Sequence, residues 1–201
     1  MQSTHNLIET TIKKGRRGKI IFANDFSDIG THVAIRHALS RLCRNGLIIR
    51  LSTGIYLYPR IDKEFGVIYP TLDVVAERIA QKDKARIAPT GLYAMNRLGL
   101  CTQVPANYVY LTDGSQRRIK IGKRKGILFK HTAPKNLAFK SELAMLIVFA
   151  LKEIKRDRVQ QEHLTRLKHV INAAPKKEQE KIMQDAQMMP AWIKTLIMKM
   201  L

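Results

Sequence analysis

Apolar residues recur at helical spacing along residues 6–14, where Leu7, Ile8 and Ile12 share one side, until Gly15-Arg16-Arg17-Gly18 breaks the run. Lys19-Ile20-Ile21-Phe22 then turns β-branched and aromatic, which predicts a short strand or extended entry. Asn24 or Asp25 is placed to cap one helical turn through Phe26 and Ile29, ended by Gly30. Thr31 stands where an N-cap belongs, because its hydroxyl can accept from the free amides of the next turn. After it, Ile35, Ala38, Leu39, Leu42 and Cys43 form one apolar stripe, and His32, Arg36, His37, Ser40, Arg41 and Arg44 form the opposite face. Gly46 supplies the stop. Residues 47–51 and 55–58 are strand-like runs around Ser52-Thr53-Gly54, a hairpin pattern.

Pro59 and the charged stretch 60–64 predict a boundary, so the chain divides on paper into domains 1–65 and 66–201. Pro70 opens a helix with Leu72, Val75, Ala76 and Ile79 on one side, and residues 90–98 form another, ended by Gly99. Residues 108–112, 118–121 and 127–130 are strand-like, joined by Asp113-Gly114 and by residues 122–126. Residues 141–155, 161–173, 176–188 and 191–201 read as helices, the last two each preceded by a proline. The expected fold class is α+β: an N-terminal winged helix-turn-helix, then a mixed α/β domain ending in a helical region.

Charge sharpens this picture. The chain of 201 residues carries 36 Lys plus Arg against 16 Asp plus Glu, a formal +20. Self-repulsion on that scale opposes a compact state and suits a polyanionic partner, nucleic acid first, then an acidic protein or an anionic membrane surface. The excess is spread: 11 bases against 5 acids in residues 1–65, 13 against 4 in 66–137, and 12 against 7 in 138–201. It therefore sits on folded surface rather than in a basic tail. Cys43 and Cys101 are isolated, without the spacing of a zinc site or a disulfide framework. The longest apolar stretch, residues 143–151, is far short of a membrane span, and no signal-peptide pattern opens the chain. A cytoplasmic protein, without metal or cofactor, is the expectation.

Helix, turn, capped helix with a basic outer face, glycine and tight hairpin is the winged-helix order. B-DNA's major groove admits one α-helix whose N-terminal residues reach base edges, with the wing over the phosphates beside it. On that reading Thr31, His32, Arg36, His37, Ser40 and Arg41 face the groove, Arg50, Ser52 and Thr53 meet the backbone, and Arg16, Arg17 and Lys19 add phosphate contacts. An ordinary helix with a solvated face is the plain alternative. Solvated faces usually mix signs, however, and no acid occurs between Ile29 and Ile61.

The stretch Ile35-Arg36-His37-Ala38-Leu39-Ser40-Arg41-Leu42 through Gly46, followed by Gly54-Ile55-Tyr56, resembles the N-terminal winged helix of the AbiEi-like antitoxins of bacterial abortive-infection (type IV) toxin–antitoxin operons. The resemblance continues in Ala94-Met95-Asn96-Arg97-Leu98-Gly99-Leu100, Thr102-Gln103-Val104-Pro105 and Tyr110-Leu111-Thr112-Asp113-Gly114, and covers roughly residues 5–155. Beyond that it is loose, around Pro190-Ala191-Trp192-Ile193. It implies an autorepressor whose winged helix binds double-stranded DNA at inverted repeats in its own promoter. It also implies an antitoxin that neutralises a cognate nucleotidyltransferase-like toxin, a stable complex with which is not required. A stand-alone winged-helix transcription factor, or an RNA-binding protein, is the alternative.

Two further features stand outside the winged helix. Arg117, Arg118, Lys120, Lys123, Arg124, Lys125 and Lys130 fall within fourteen residues free of acids, so a second basic surface or a solvated, aggregation-proof hairpin is expected there. Trp192, Ile193, Leu196, Ile197, Met200 and Leu201 form an apolar helix face, expected to dock on its own domain, with a partner or dimer surface or a membrane surface as the alternatives. Catalysis has little support. Asp73, Glu77, Asp83 and Asp113 do not form the carboxylate pair of a metal-dependent nuclease, Glu153-x-Lys155 lies in a helical pattern, and no P-loop or G-x-S-x-G occurs.

Overall fold

The first helix, α1 (Thr4–Lys14), starts where Ser3 Oγ accepts from the amide of Asn6 at 3.3 Å, and buries Ile8 and Ile12. The computed structural model describes residues 3–122 and 124–201, so Lys123 lies outside the described residues. A short strand β1 (Ile20–Phe22) follows, then a 3₁₀ turn (Ala23–Phe26) in which Asp25 Oδ2 accepts from the amide of Phe22 at 2.9 Å. Helix α2 (His32–Arg44) buries Ile35, Ala38, Leu39 and Leu42 and leaves Cys43 half-buried. Gly46, at φ +74°, takes the left-handed turn that ends it.

Strands β2 (Ile49–Ser52) and β3 (Ile55–Leu57) complete a three-stranded sheet in the order β1-β3-β2. Both pairings are antiparallel, with Ile21 and Arg50 each opposite Tyr56 and an irregularity between Arg50 and Ser52. All residues of β1 and β3 are buried. One core joins Ile8 and Ile12 of α1, the stripe of α2, Phe26, Ile48, Tyr56 and Tyr58. Each fully buried Ile or Leu here contributes about 1.5–3 kcal/mol relative to exposure.

The charged stretch expected to mark a boundary opens a second hairpin, β4 (Arg60–Asp62) against β5 (Gly66–Ile68). Asp62 Oδ1 accepts from the amides of Glu64 and Phe65, which tightens its turn. Composition hid it because charge alternates there with Ile61, Phe65 and Tyr69, all well exposed. Helix α3 (Leu72–Asp83) starts two residues after Pro70, where Thr71 Oγ1 accepts from the amide of Val74 at 3.4 Å.

The chain forms two compact units: one runs to Ile79 and takes in Ile119–Lys125, and the other comprises Ala80–Arg118 and Gly126–Leu201. A four-stranded sheet has the order β6-β7-β9-β8, from β6 (Ile87–Thr90), β7 (Asn107–Thr112), β8 (Arg117–Ile121) and β9 (Lys125–His131). β6 pairs antiparallel with β7, and β7 parallel with β9, so β9 separates β7 from β8. β6 was not expected. Four residues containing Pro89 give little strand signal, and the strand survives because it lies at the sheet edge, where a missing N–H is tolerated. Helix α4 (Gly91–Arg97) follows it directly.

The apolar run 143–151 lies in α5 (Glu142–Ile154), a core helix that buries eight residues. Around it lie α6 (Gln161–Ala173), α7 (Lys176–Asp185) and α8 (Ala191–Met198). Ile193, Ile197 and Met200 join the same core as α5, so the C-terminal apolar face docks on its own unit. Buried Asp185 accepts from the amides of Lys140 and Ser141, and Ser141 Oγ caps α5 through Ala144. Among the described residues no helix is long and apolar enough to cross a membrane. The protein is mixed α+β.

Candidate nucleic-acid interface

The surface of interest is built from α2 and the β2–β3 turn. Thr31 Oγ1 accepts from the amide of Ala34 at 3.3 Å, so the residue expected to face DNA first of all caps the helix. The core stripe fixes the rotation of α2, which leaves His32, Arg36, His37, Ser40, Arg41 and Arg44 on the side away from the core, all of them exposed. Arg36, Arg41 and Arg44 have no ion-pair partner among the described residues. Their charge is therefore uncompensated.

Val33 shares this outer face and is 56% exposed. It was missed because an apolar residue off the stripe reads as noise. The useful signal was position: Val33 stands in the first turn, between His32 and the arginines.

The β2–β3 turn presents Arg50 and Thr53 exposed and Ser52 half-buried. Arg50 Nη2 donates to Thr53 Oγ1 at 3.4 Å, which holds the two across the turn. Gly54 sits at φ +73°, a conformation that L side chains rarely adopt. Burial pushes the Cys43 thiol and the Tyr56 phenol up, an effect that the nearby Arg50 charge partly offsets, so both are neutral at physiological pH.

The remaining basic residues divide. Arg16 and Lys19 are exposed, whereas Arg17 donates to the Pro59 carbonyl at 3.2 Å and lies 5.1 Å from the centroid of the Tyr58 ring. In the β8–β9 ribbon, Arg118, Lys120, Arg124, Lys125 and Lys130 are exposed, while Ile119 is buried on the other face of β8. Arg117 does not belong to that row. Its guanidinium is ion-paired with Asp83 and lies 5.7 Å from the centroid of Phe129, so it anchors the strand. Among the described residues no three His, Cys, Asp or Glu side chains gather as a metal ion would require.

A family model matches residues 7–182 of the sequence, and the chain belongs to that family, DUF6088, a family of unknown function. No curated protein matches the chain. A similar solved structure is the crystal structure of the RV2827C protein from Mycobacterium tuberculosis. It is 12% identical, with 98% of this chain and 81% of that chain covered and a TM-score of 0.49.

Proposed function

We propose that the N-terminal unit is a winged helix-turn-helix that binds double-stranded DNA, with α2 in the major groove and the β2–β3 turn over the phosphates. The observation that carries this reading is the outer face of α2. Arg36 and Arg41 are exposed and, like Arg44, unpaired among the described residues, and no acid occurs from residue 30 to 60. A 13-residue helix is about 20 Å long, enough to lie in a groove about 12 Å wide. Arg36 and Arg41 supply bidentate donors for guanine or phosphate, His32, His37 and Ser40 further hydrogen bonds, and Val33 an apolar contact for a thymine methyl. Arg50, Ser52, Thr53, Arg16 and Lys19 are phosphate contacts, and position the protein without reading sequence.

The resemblance to AbiEi-like antitoxins extends this to an autorepressor at inverted repeats in its own promoter. The second unit would then neutralise a nucleotidyltransferase-like toxin, without a stable complex being required. That assigns the protein to binding rather than catalysis, and to the cytoplasm where the DNA lies. A gel shift at several salt concentrations, on the upstream promoter and on scrambled DNA, tests the reading. The expected result is tighter binding to the promoter, and at least a tenfold loss in Arg36→Ala plus Arg41→Ala with unchanged circular dichroism. Equal affinity for both duplexes overturns the repressor; an unaffected double variant overturns α2 as the reader. Preference for a single-stranded RNA of the same sequence favours RNA binding instead.

A further inference from the structure

Between the start of α2 and the β2–β3 turn lies a depression of about 320 Å³, wholly within the first unit. Its lining is not that of a simple DNA-facing surface. Ala23, Ile35 and Tyr56 give it apolar walls, and two of these are core residues whose positions are fixed by packing. Arg36 enters from α2 and Arg50 from β2, and no carboxylate lines it. Ser27 and Thr53, both hydroxyl-bearing, also line it.

These features select a ligand class. Two guanidiniums without a balancing acid call for an anion, and a phosphate monoester, at nearly two negative charges above pH 6, matches them better than a carboxylate. The hydroxyls suit its three acceptor oxygens. The apolar walls call for a flat or compact ring beside the anion. The volume stands at the small end of ligand sites, which suits a mononucleotide and excludes larger cofactors. We infer that this depression binds a nucleoside monophosphate, its phosphate held by Arg36 and Arg50 and its base against Ile35 and Tyr56. Because Arg36 and Arg50 are also assigned to DNA, an occupied site withholds both from the duplex. That competition rests on the proposed DNA-binding function; the binding of the nucleotide does not.

Thymidine 5′-monophosphate is the probe, titrated calorimetrically and by amide chemical shifts into the full chain, with thymidine and inorganic phosphate as separate controls. The expected result is saturable one-site binding at least tenfold tighter than either fragment. Shifts should concentrate at Ala23, Ser27, Thr53 and Gly54. Arg50→Gln removes a phosphate donor and Ala23→Leu fills the cavity; each should weaken binding tenfold or more while the thermal melt stays within a few degrees. No saturation by about 1 mM, or binding unchanged in both variants, overturns the site. In gel shifts, the nucleotide should lower duplex affinity in step with occupancy; binding without displacement overturns the competition. If the nucleotide fails to bind while the duplex still shifts in an Arg36-dependent way, the pocket inference falls and the DNA reading stands. If the nucleotide binds and no duplex does, the reverse holds.

Discussion

Asp113 holds Arg86 twice: its Oδ2 accepts from Arg86 Nε at 2.8 Å, and its Oδ1 from the Arg86 backbone amide at 2.7 Å. The pair joins the approach to β6 to the end of β7, next to the register pair Ile87 and Thr112. Arg86 also donates to the carbonyls of Pro134 and Leu137, which fixes the 3₁₀ turn after β9. An exposed ion pair alone contributes little, but here removal of the Arg86 side chain takes the donor from Asp113 Oδ2 and from two carbonyls at once. Arg86→Met is expected to cost about 1–2 kcal/mol in urea denaturation, with no change in DNA affinity at 25 °C. A variant as stable as the wild type would show that Arg86 is an incidental surface contact.

The same carboxylate makes stability pH-dependent. Burial pushes Asp113 up, but hydrogen bonds from the Arg86 side chain and backbone and the Arg86 charge outweigh it and hold the carboxyl below its ordinary value. Glu178 is held down likewise by the Ser141 hydroxyl, against its own burial, with Lys181 assisting. A depressed carboxylate contributes stability above its unfolded pKa of about 4, and that contribution is lost as pH falls through the folded value. The urea midpoint of Asp113→Asn should therefore lie below wild type at pH 7, with the gap closing below about pH 4. A gap that stays constant from pH 7 to 3 would exclude this origin.

Much of the first unit was legible in the sequence because each element carried a local signal. The stripe Ile35-Ala38-Leu39-Leu42 set the rotation of α2, Thr31 and Gly46 set its ends, and Thr53-Gly54 marked the β2–β3 turn. What stayed hidden depended on distant partners. β6 exists through its ladder to β7, β9 lies beside β7 by a parallel pairing that no turn encodes, and β4–β5 is closed by Asp62 rather than by hydrophobic alternation. Candidate site residues followed the same rule. The outer face of α2 was readable from spacing, whereas Arg117 looked like its neighbours and only the fold brings Asp83 and Phe129 to it.

Within α2, stability and recognition should separate. Thr31→Ala removes the hydroxyl that caps Ala34 and is expected to cost about 1 kcal/mol, seen in the melt. Val33→Ser removes an exposed apolar contact, so stability should hold while affinity for the promoter falls about threefold to tenfold, through loss at thymine steps. Gel shifts on duplexes with uracil in place of thymine check this: the wild type should lose affinity on uracil DNA and Val33→Ser should not. Equal losses in both would remove Val33 from the interface.

The β8–β9 ribbon separates by chemistry in the same way. If its exposed bases grip phosphates, Lys120→Ala, Arg124→Ala and Lys125→Ala together should lower the slope of log affinity against log salt by about 0.9 for each phosphate left without its cation. The melt should be unaffected, since none of the three has an ion-pair partner among the described residues. Arg117→Ala is expected to do the opposite. It unpairs Asp83 and uncovers Phe129, so the urea midpoint should fall while the salt slope stays that of the wild type. An unchanged slope in the triple variant would make the ribbon a solvated edge that guards the sheet against aggregation, and would confine the DNA footprint to α2 and the β2–β3 turn.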